Sequence, residues 1–349
     1  MFKIGKVSIG SGEPIIIAEA GVNHLGRMDY AERLVTEAAK AGAHIIKFQT
    51  YKAEKLSTKD APRFWDWEGE EDASGSQFDS YSELDSFEYD QYVELKGICV
   101  ANNIEFMSTP FDYDAVDMLE KVGVSAYKMA SCDITNLPFL KYVASTKKPI
   151  LLSTGAATIK EIDQAIKTIE AASDAPIVIM HCTLCYPTKD QDANLLALKD
   201  IAKNFPDYIL GLSDHTLGTP IPIASVLLGV EVIEKHYTFD KTLPLSADHW
   251  LSVDPLELKE IVENTKRVAK AMGSEKKKLF DCEIPAHKYA RRSLVTKVAL
   301  EAGDEISEET ITFKRPGTGI SPAEFDSIKG RSINKKIDAD VVIQWNDLE

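Results

Sequence analysis

Two histidines follow two consecutive apolar segments of the chain, and their spacing could support metal chemistry. Ser213 and His215 lie two residues apart, as do Glu234 and His236, and alternation along a strand places each pair on one face. Two imidazoles at neighbouring strand ends, beside Glu234 and Asp248, could bind one divalent cation. Imidazole and oxygen ligands with open positions suit Mn²⁺, Co²⁺ or Mg²⁺, and also Zn²⁺. A single histidine would more simply form a hydrogen bond to a loop, but the pair favours a metal.

Two lysines at the ends of other apolar segments form a second candidate cluster. The net charge is −15, so an anionic substrate would need a local group of cations, and Lys47 and Lys128 could supply it. The hydroxyls that could complete a phosphate and carboxylate cradle come from Ser131, Ser153 and Ser213. Each charge-assisted bond would contribute ~1.5–3 kcal/mol. A Schiff base is the alternative use of such a lysine, but no local pattern selects either one as a nucleophile.

Eight short apolar segments alternate with amphipathic ones and would position these residues. Their nearly continuous apolar character is typical of strands buried on both faces. The predicted strands are Ile15–Ala20, Ala43–Gln49, Ile104–Ser108, Ser125–Ala130, Pro149–Thr154, Ile177–Cys182, Tyr208–Ser213 and Val230–His236. The clearest helical patterns are Met28–Ala41 and Thr158–Ala172. This alternation predicts an α/β fold, a (β/α)8 TIM barrel. A doubly wound sheet is the alternative, which the absence of GxGxxG after the first segment weakens.

The carboxyl ends of the predicted strands are rich in polar residues. In a TIM barrel the active site forms at these ends. The residues found there include Glu19, Lys47, Gln49, Ser108, Thr109, Lys128, Ser131, Ser153, His181, Ser213, His215, Glu234 and His236. Ordinary structural strand ends would not collect so many ionisable groups, so the pattern indicates a catalytic site.

Two regions depart from the alternation of predicted strands and helices. The segment Tyr51–Ser86 is far longer than a usual connection, which is typical of a functional lid or of disorder. After residue 272 a polar linker, 273–288, leads to short alternating segments such as Ser293–Val298 and Val341–Trp345. We therefore predict a catalytic barrel over 1–272, a linker over 273–288 and a small β-rich domain over 289–349.

Composition excludes several function classes. The negative net charge argues against nucleic acid and against anionic membrane surfaces. No apolar run approaches the ~20 residues that span a bilayer, and no signal peptide follows Met1. Five scattered cysteines fit reduced thiols, so we expect a cytoplasmic protein. The pair Cys182 and Cys185 lacks further spaced ligands for zinc, and we interpret it as two small apolar residues near a strand end.

At these residues the chain resembles the N-acetylneuraminate synthase family, which includes legionaminate and pseudaminate synthases. The matching barrel motifs are Ala18-Glu-Ala-Gly-Val-Asn-His24, Lys47-Phe-Gln49, Ser108-Thr-Pro-Phe111, Tyr127-Lys-Met-Ala-Ser131, His181-Cys-Thr183, Tyr186-Pro-Thr188, Gly211-Leu-Ser-Asp-His-Thr216, Glu234-Lys-His236 and Ala247-Asp-His249. The tail is similar to the family's antifreeze-like (SAF) domain, through Ala290-Arg-Arg-Ser293 and Lys314-Arg-Pro-Gly-Thr-Gly-Ile320. Together these motifs are highly specific, although any one alone would be weak.

The resemblance implies a transferase that condenses phosphoenolpyruvate with N-acetylmannosamine or a related acylamino sugar. The products would be an N-acetylneuraminate-type acid and phosphate, with cleavage of the C–O bond of phosphoenolpyruvate. A legionaminate or pseudaminate synthase using a diacetamido-trideoxy hexose is the alternative. More distant alternatives are another phosphoenolpyruvate aldol synthase and a non-catalytic sugar-binding protein. The sequence does not identify the sugar or show whether it is phosphorylated. It also does not identify the metal, for which we expect Mn²⁺ first and Mg²⁺ or Co²⁺ otherwise.

The resemblance also implies a role for each matching residue. His215 and His236 would hold the metal, and Glu19 would lie beside the reacting centre. Phosphoenolpyruvate would be bound by Lys47, Thr109, Lys128, Ser131, Ser153 and Ser213. The sugar would be bound by Gln49, Tyr186, Asp248 and Arg315. Arg315 would reach a partner subunit's barrel from the SAF domain, which implies a domain-swapped homodimer.

One motif departs from the family pattern. Many members carry Gly-Glu after the serine of the fourth strand, where this chain has Cys132-Asp133. The shorter carboxylate puts a supporting role at that position in doubt. The following segment, Ile134–Pro138, leans toward members that use diacetamido sugars.

Overall fold

A computed structural model describes residues 1–65, 75–243 and 248–349 of the chain. The described residues divide into two units, Met1–Gly273 and Ser274–Glu349. None of the helices in these ranges is long and apolar enough to cross a membrane.

A parallel sheet forms the centre of the first unit. A short antiparallel hairpin precedes it, formed by β1 (Phe2–Ile4) and β2 (Val7–Ile9). The strands of the parallel sheet are β3 (Ile15–Gly21), β4 (Ile45–Thr50), β5 (Glu105–Pro110), β6 (Tyr127–Met129), β7 (Ile150–Ser153), β8 (Ile177–Cys182), β9 (Ile209–Asp214) and β10 (Val230–His236). The eight strands β3–β10 pair in the order β5-β4-β3-β10-β9-β8-β7-β6. Its two end strands also lie side by side, and Ser125 Oγ donates to Glu105 Oε1 at 2.7 Å. The predicted (β/α)8 barrel is confirmed.

Helices follow the strands and cover the outside of the barrel. They are α1 (Met28–Ala41), α2 (Ala53–Leu56), α3 (Gln77–Ser82), α4 (Tyr89–Ala101), α5 (Tyr113–Val122), α6 (Leu137–Ala144), α7 (Ile159–Ala172), α8 (Ala197–Asn204), α9 (Pro220–Ser225), α10 (Asp248–Leu251) and α11 (Pro255–Met272). Helix α1 has the predicted bounds because Gly42, with φ of 90°, ends it in the left-handed conformation. Helix α7 begins one residue after the predicted start because Thr158 caps it, in a reciprocal pair of bonds with Glu161.

The N-terminal hairpin closes the end of the barrel opposite the predicted site. Ile4 and Ile9 are fully buried against Ile15, Ile17 and Ile45 at the amino ends of the barrel strands. Burying each isoleucine contributes about 1.5–3 kcal/mol, which can hold a hairpin that would be marginal alone. The sequence pattern did not predict these two short strands.

The long segment Tyr51–Ser86 is partly helical. It contains α2 and α3, and Ser76 caps α3 in a reciprocal pair of bonds with Asp79. Residues 66–74 lie outside the described residues. The interpretation of this segment as a lid or as disorder stays a prediction.

The second unit has its own small core. Its elements are α12 (Ile284–Tyr289), β11 (Ser293–Thr296), β12 (Ile311–Lys314) and α13 (Phe325–Ile328), with β11 and β12 antiparallel. Leu294, Ile306, Ile320 and Ile343 are fully buried there. Helix α12 falls mostly within the predicted linker. The predicted strand at Val341–Trp345 is wrong: Val342 forms a single bridge, and a 3₁₀ turn begins at Trp345.

Candidate active site

Four charged side chains meet at the carboxyl ends of β3–β10, which we term the barrel mouth. Lys47 Nζ lies 2.8 Å from Glu19 Oε2 and 3.7 Å from Glu234 Oε2, while Lys128 Nζ lies 3.6 Å from Glu234 Oε1. All four side chains are at most 5% exposed. They meet because alternation along parallel strands turns one residue of each strand end toward the barrel axis. The result is two cations and two carboxylates in one buried cluster.

The pKa values of Glu234, Lys47 and Lys128 are shifted by burial and by neighbouring charges. Burial opposes the charge of Glu234, but Lys128 and Lys47 lower its pKa to about 2. Burial also opposes the charge of Lys47, yet Glu19 and Glu234 together raise its pKa above the usual value. Burial lowers the pKa of Lys128, for which Glu234 is the main compensating charge. Lys128 is therefore the ammonium that gains most from an incoming anion.

Hydroxyl groups surround the two ammoniums. Lys47 Nζ donates to Thr109 Oγ1 at 2.9 Å, and Lys128 Nζ donates to Ser153 Oγ at 2.6 Å. Ser213 Oγ donates to Glu234 Oε1 at 3.0 Å. The structure thus brings Lys47, Thr109, Lys128, Ser153 and Ser213 into one polar cluster.

Ser131 lies beside the same cluster and is held there by a hydrogen bond from Gly155. Its Oγ accepts from Gly155 N at 2.9 Å. A Cβ on Gly155 would lie 2.8 Å from Ser131 Oγ and 3.0 Å from Cys182 Sγ, so a larger residue would push both away. Gly155 therefore permits the close approach of β6, β7 and β8 that places Ser131 beside the cluster.

The two predicted imidazoles are neighbours. The ring centroids of His215 and His236 are 5.3 Å apart, and both side chains are buried. His215 Nδ1 lies 2.9 Å from the carbonyl oxygen of Thr183, which can only accept, so Nδ1 donates and Nε2 is the nitrogen that could bind a metal. His236 Nδ1 is buried 3.3 Å from Asp248 Oδ2.

These two histidines fit a divalent cation. Each has a ring nitrogen suited to ligation, and the carbonyl of Thr183 orients the ring of His215 as an outer partner does in metal sites. Within the described ranges, no group of three or more His, Cys, Asp or Glu side chains is arranged to hold a metal. A cation here would therefore have two imidazole ligands, with its other positions open to water, substrate or a shift of Asp248.

The predicted sugar contacts border the imidazoles and Glu19. The Tyr186 ring lies 4.2 Å from that of His215 and, edge to face, 5.8 Å from that of His236. Gln49 Nε2 donates to Glu19 Oε1 at 3.0 Å. A Cβ on Gly21 would approach Gln49, Glu19 and Asp248 within 3.6 Å, so these side chains converge on one glycine. Arg315 belongs to the second unit, where it is exposed.

In the motif that departs from the family pattern, Asp133 is buried and Cys132 is exposed. Asp133 Oδ1 accepts from Asn136 Nδ2 at 3.2 Å, and Cys132 Sγ donates to Asp133 Oδ2 at 3.7 Å. Burial raises the pKa of Asp133. The shorter carboxylate is thus engaged with its own loop.

The roles of Glu234 and Cys182 are larger than the sequence predicts. The sequence places Glu234 beside the metal, yet it also contacts both lysines and Ser213. The two-residue spacing from His236 predicts the side of the strand on which Glu234 lies, but it does not predict the contacts of Glu234 with the lysines and Ser213. Cys182 Sγ lies 3.8 Å from His215 Nδ1 at the end of β8, and only its position at a strand end could have indicated this.

Comparison with known proteins assigns the family. The model of the NeuB family matches residues 34–277, and that of the SAF domain matches residues 291–349. The chain belongs to the NeuB family. The SAF match agrees with the small antiparallel unit at the carboxyl end, so the predicted barrel and SAF combination is confirmed.

Relatives within the NeuB family span nearly the whole chain. An uncharacterized protein of Methanocaldococcus jannaschii is 42% identical over 99% of this chain and 98% of its own length. The N,N'-diacetyllegionaminic acid synthase of Legionella pneumophila is 39% identical over 96% and 94%. Among solved structures, the N-acetylneuraminic acid synthetase of Leptospira borgpetersenii superposes with a TM-score of 0.71 at 36% identity, covering 81% of this chain and 93% of that one.

Proposed function

We propose that the chain is a metal-dependent transferase that condenses phosphoenolpyruvate with N-acetylmannosamine or a related acylamino sugar. The products are an N-acetylneuraminate-type acid and phosphate. The observation that carries the proposal is the pairing of two buried ammoniums with two adjacent imidazoles in one barrel mouth. The family relatives named as nonulosonate synthases support the same reaction class.

The two lysines bind phosphoenolpyruvate. Lys47 and Lys128 both lie within 3.7 Å of Glu234, so two cations converge on one small volume. A ligand carrying a phosphate and a carboxylate can engage both ammoniums, with hydroxyls such as Thr109 and Ser153 already held beside them. Catalysis then rests largely on fixed charges that need no rearrangement during the reaction.

The imidazoles lie where the sugar aldehyde would enter. His215 and His236 would hold the divalent cation, for which we propose Mn²⁺, with Mg²⁺ or Co²⁺ as alternatives. When bound, this cation supplies Lewis-acid polarisation of the carbonyl group. Tyr186, Gln49 and Asp248 border the same space and would orient the acylamino sugar.

Glu19 is placed to move a proton. The C2–C3 π electrons of phosphoenolpyruvate form the bond from C3 to the aldehyde carbon, which leaves C2 electron-deficient and the aldehyde oxygen as an alkoxide. Water adds to C2 and loses a proton to Glu19 Oε2, which Lys47 holds at 2.8 Å. Glu19 passes this proton to the alkoxide, which becomes a hydroxyl, and returns to its carboxylate form. The C2–O bond to phosphate then breaks as the new C2 hydroxyl becomes the ketone, and its proton leaves with the phosphate.

A diacetamido-trideoxy hexose is the second candidate sugar. It is favoured by the 39% identity to the Legionella N,N'-diacetyllegionaminic acid synthase. N-acetylmannosamine is favoured by the 36% identity to the Leptospira N-acetylneuraminic acid synthetase. Because these values are close, the two sugars must be compared directly.

A phosphate-release assay in oxygen-18 water tests this reaction. With phosphoenolpyruvate and Mn²⁺, we expect sugar-dependent phosphate release with N-acetylmannosamine or a diacetamido-trideoxy hexose, and only background release without sugar. The phosphate should carry no label from the solvent, because the C–O bond breaks. Labelled phosphate would contradict this chemistry. Release with a phosphorylated aldose alone would indicate a different phosphoenolpyruvate aldol synthase.

We also propose that Arg315 serves a second copy of the chain. Its guanidinium is exposed in the second unit and could bind the acyl group of a sugar held in a partner's barrel. Of the predicted linker 273–288, residues 273–280 precede the folded turn and helix α12, and they could span up to ~25 Å if extended, over which we propose that the second unit reaches a neighbouring barrel. The assembly would be a domain-swapped homodimer.

A further inference from the structure

We propose that the buried ion pair of Asp214 and Lys235 is a positioning device for the two imidazoles, a role that rests on the proposed metal site. The two residues are register partners on β9 and β10, and Lys235 Nζ lies 2.6 Å from Asp214 Oδ2. Their side chains are 3% and 1% exposed. Because Ser213 and Glu234 point into the barrel mouth, alternation turns Asp214 and Lys235 to the helix-facing side of the sheet.

Asp214 and Lys235 both bind Thr216, the residue that follows His215. Asp214 Oδ2 accepts from Thr216 Oγ1 at 2.9 Å, and Asp214 Oδ1 accepts from Thr216 N at 3.2 Å. Lys235 Nζ donates to the carbonyl oxygen of Thr216 as well as to Asp214. The residues before and after His215 are therefore fixed by the same two charged groups.

The pair lies where the strand ladder stops. Asp214 and Lys235 are the last register partners of β9 and β10, so His215 and His236 lie beyond the β9–β10 ladder, although His236 still pairs with Glu19 of β3. The carbonyl of His215 accepts from Thr188 N at 2.9 Å, and that of His236 accepts from Val253 N at 2.8 Å. These bonds tie each histidine to a different loop, whereas the ion pair ties the two histidine segments to each other.

Stability alone is a weak reason for a buried ion pair. Apolar residues of similar volume often replace such a pair without loss, because burying charge costs about as much as the attraction returns. The two charges do, however, fix the spacing of the segments more tightly than apolar contacts would. An uncharged replacement of the pair should therefore keep the fold but hold the distance between the two imidazoles less tightly.

The test compares Mn²⁺ binding and thermal unfolding in three variants of the full chain without substrates. In D214N/K235M both charges are removed, so no lone buried charge remains. We expect its Mn²⁺ dissociation constant, measured by electron paramagnetic resonance of free Mn²⁺, to rise about 10–100-fold, with the unfolding midpoint near that of the wild type. In K235M alone, Asp214 remains buried and unpaired, so the unfolding midpoint of this variant should fall.

Lys96→Met is the matched control. Lys96 Nζ binds the carbonyls of Val122 and Gly123 at the opposite end of the barrel, so the Mn²⁺ binding of this variant should be unchanged.

Three results would overturn the inference in distinguishable ways. Unchanged Mn²⁺ affinity in D214N/K235M would remove the positioning role and leave the proposed function intact. Weaker Mn²⁺ binding together with a large fall in the unfolding midpoint would make the pair structural. A wild-type protein that binds no Mn²⁺ would overturn the metal site and this inference with it.

Discussion

His215→Ala and His236→Ala are each expected to abolish metal-dependent turnover. Each change removes one of the two imidazoles that lie 5.3 Å apart in the barrel mouth, leaving one protein ligand for the cation. A metal contributes several kcal/mol of transition-state stabilisation, so kcat should fall by about a thousandfold or more. Steady-state phosphate release over a range of Mn²⁺ concentrations measures the effect.

His181→Gln is the matched control for the loss of an imidazole. His181 also lies at a strand end, but its Nε2 bonds to the carbonyl of Ala193, a contact that a glutamine amide could reproduce. We expect this variant to retain Mn²⁺-dependent activity within a few-fold of the wild type. Full activity in either His215→Ala or His236→Ala would remove the metal site from the account.

Lys47→Met and Lys128→Met are expected to weaken phosphoenolpyruvate binding. Each loses a charge-assisted contact of ~1.5–3 kcal/mol, so the KM for phosphoenolpyruvate should rise roughly ten- to hundredfold. Lys47→Met should also lower thermal stability more than Lys128→Met does, because Lys47 contacts both Glu19 and Glu234 and its loss leaves the two carboxylates with one fewer cation. Steady-state kinetics and calorimetric titration with phosphoenolpyruvate would measure the first effect, and thermal unfolding the second.

Lys148→Met controls for the loss of a lysine elsewhere in the barrel. Its ammonium pairs with Glu120 just before the start of β7, at the opposite end from the barrel mouth. The KM for phosphoenolpyruvate should not change in this variant. If Lys47→Met and Lys128→Met bound phosphoenolpyruvate as the wild type does, the lysine cradle would be wrong.

The barrel could be predicted from the sequence because its strands are buried on both faces. Such strands are continuous apolar segments, and Ile177–Cys182 and Val230–His236 have the predicted bounds. The hairpin of β1 and β2 was missed because strands of three residues carry too little pattern. In the second unit, the residues near Val342 looked like a strand because their apolar side chains fill a small core, although they form one bridge only.

The faces of the site residues could also be predicted, but their partners could not. A two-residue spacing places Glu234 and His236 on one side of a strand, as it does Ser213 and His215. The contact of Glu234 with both lysines depends on strands that are far apart in sequence and on which side chain crosses the barrel axis. The ion pair of Asp214 and Lys235 could not be predicted, because the two residues meet only through the register of β9 against β10.

The most direct test is a crystal structure of the protein with Mn²⁺ and phosphoenolpyruvate, using anomalous scattering at the manganese edge. The account predicts one anomalous peak bonded to a ring nitrogen of His215 and of His236, with the phosphoenolpyruvate density against Lys47 and Lys128. An anomalous peak elsewhere, or a phosphoenolpyruvate molecule outside the barrel mouth, would contradict it.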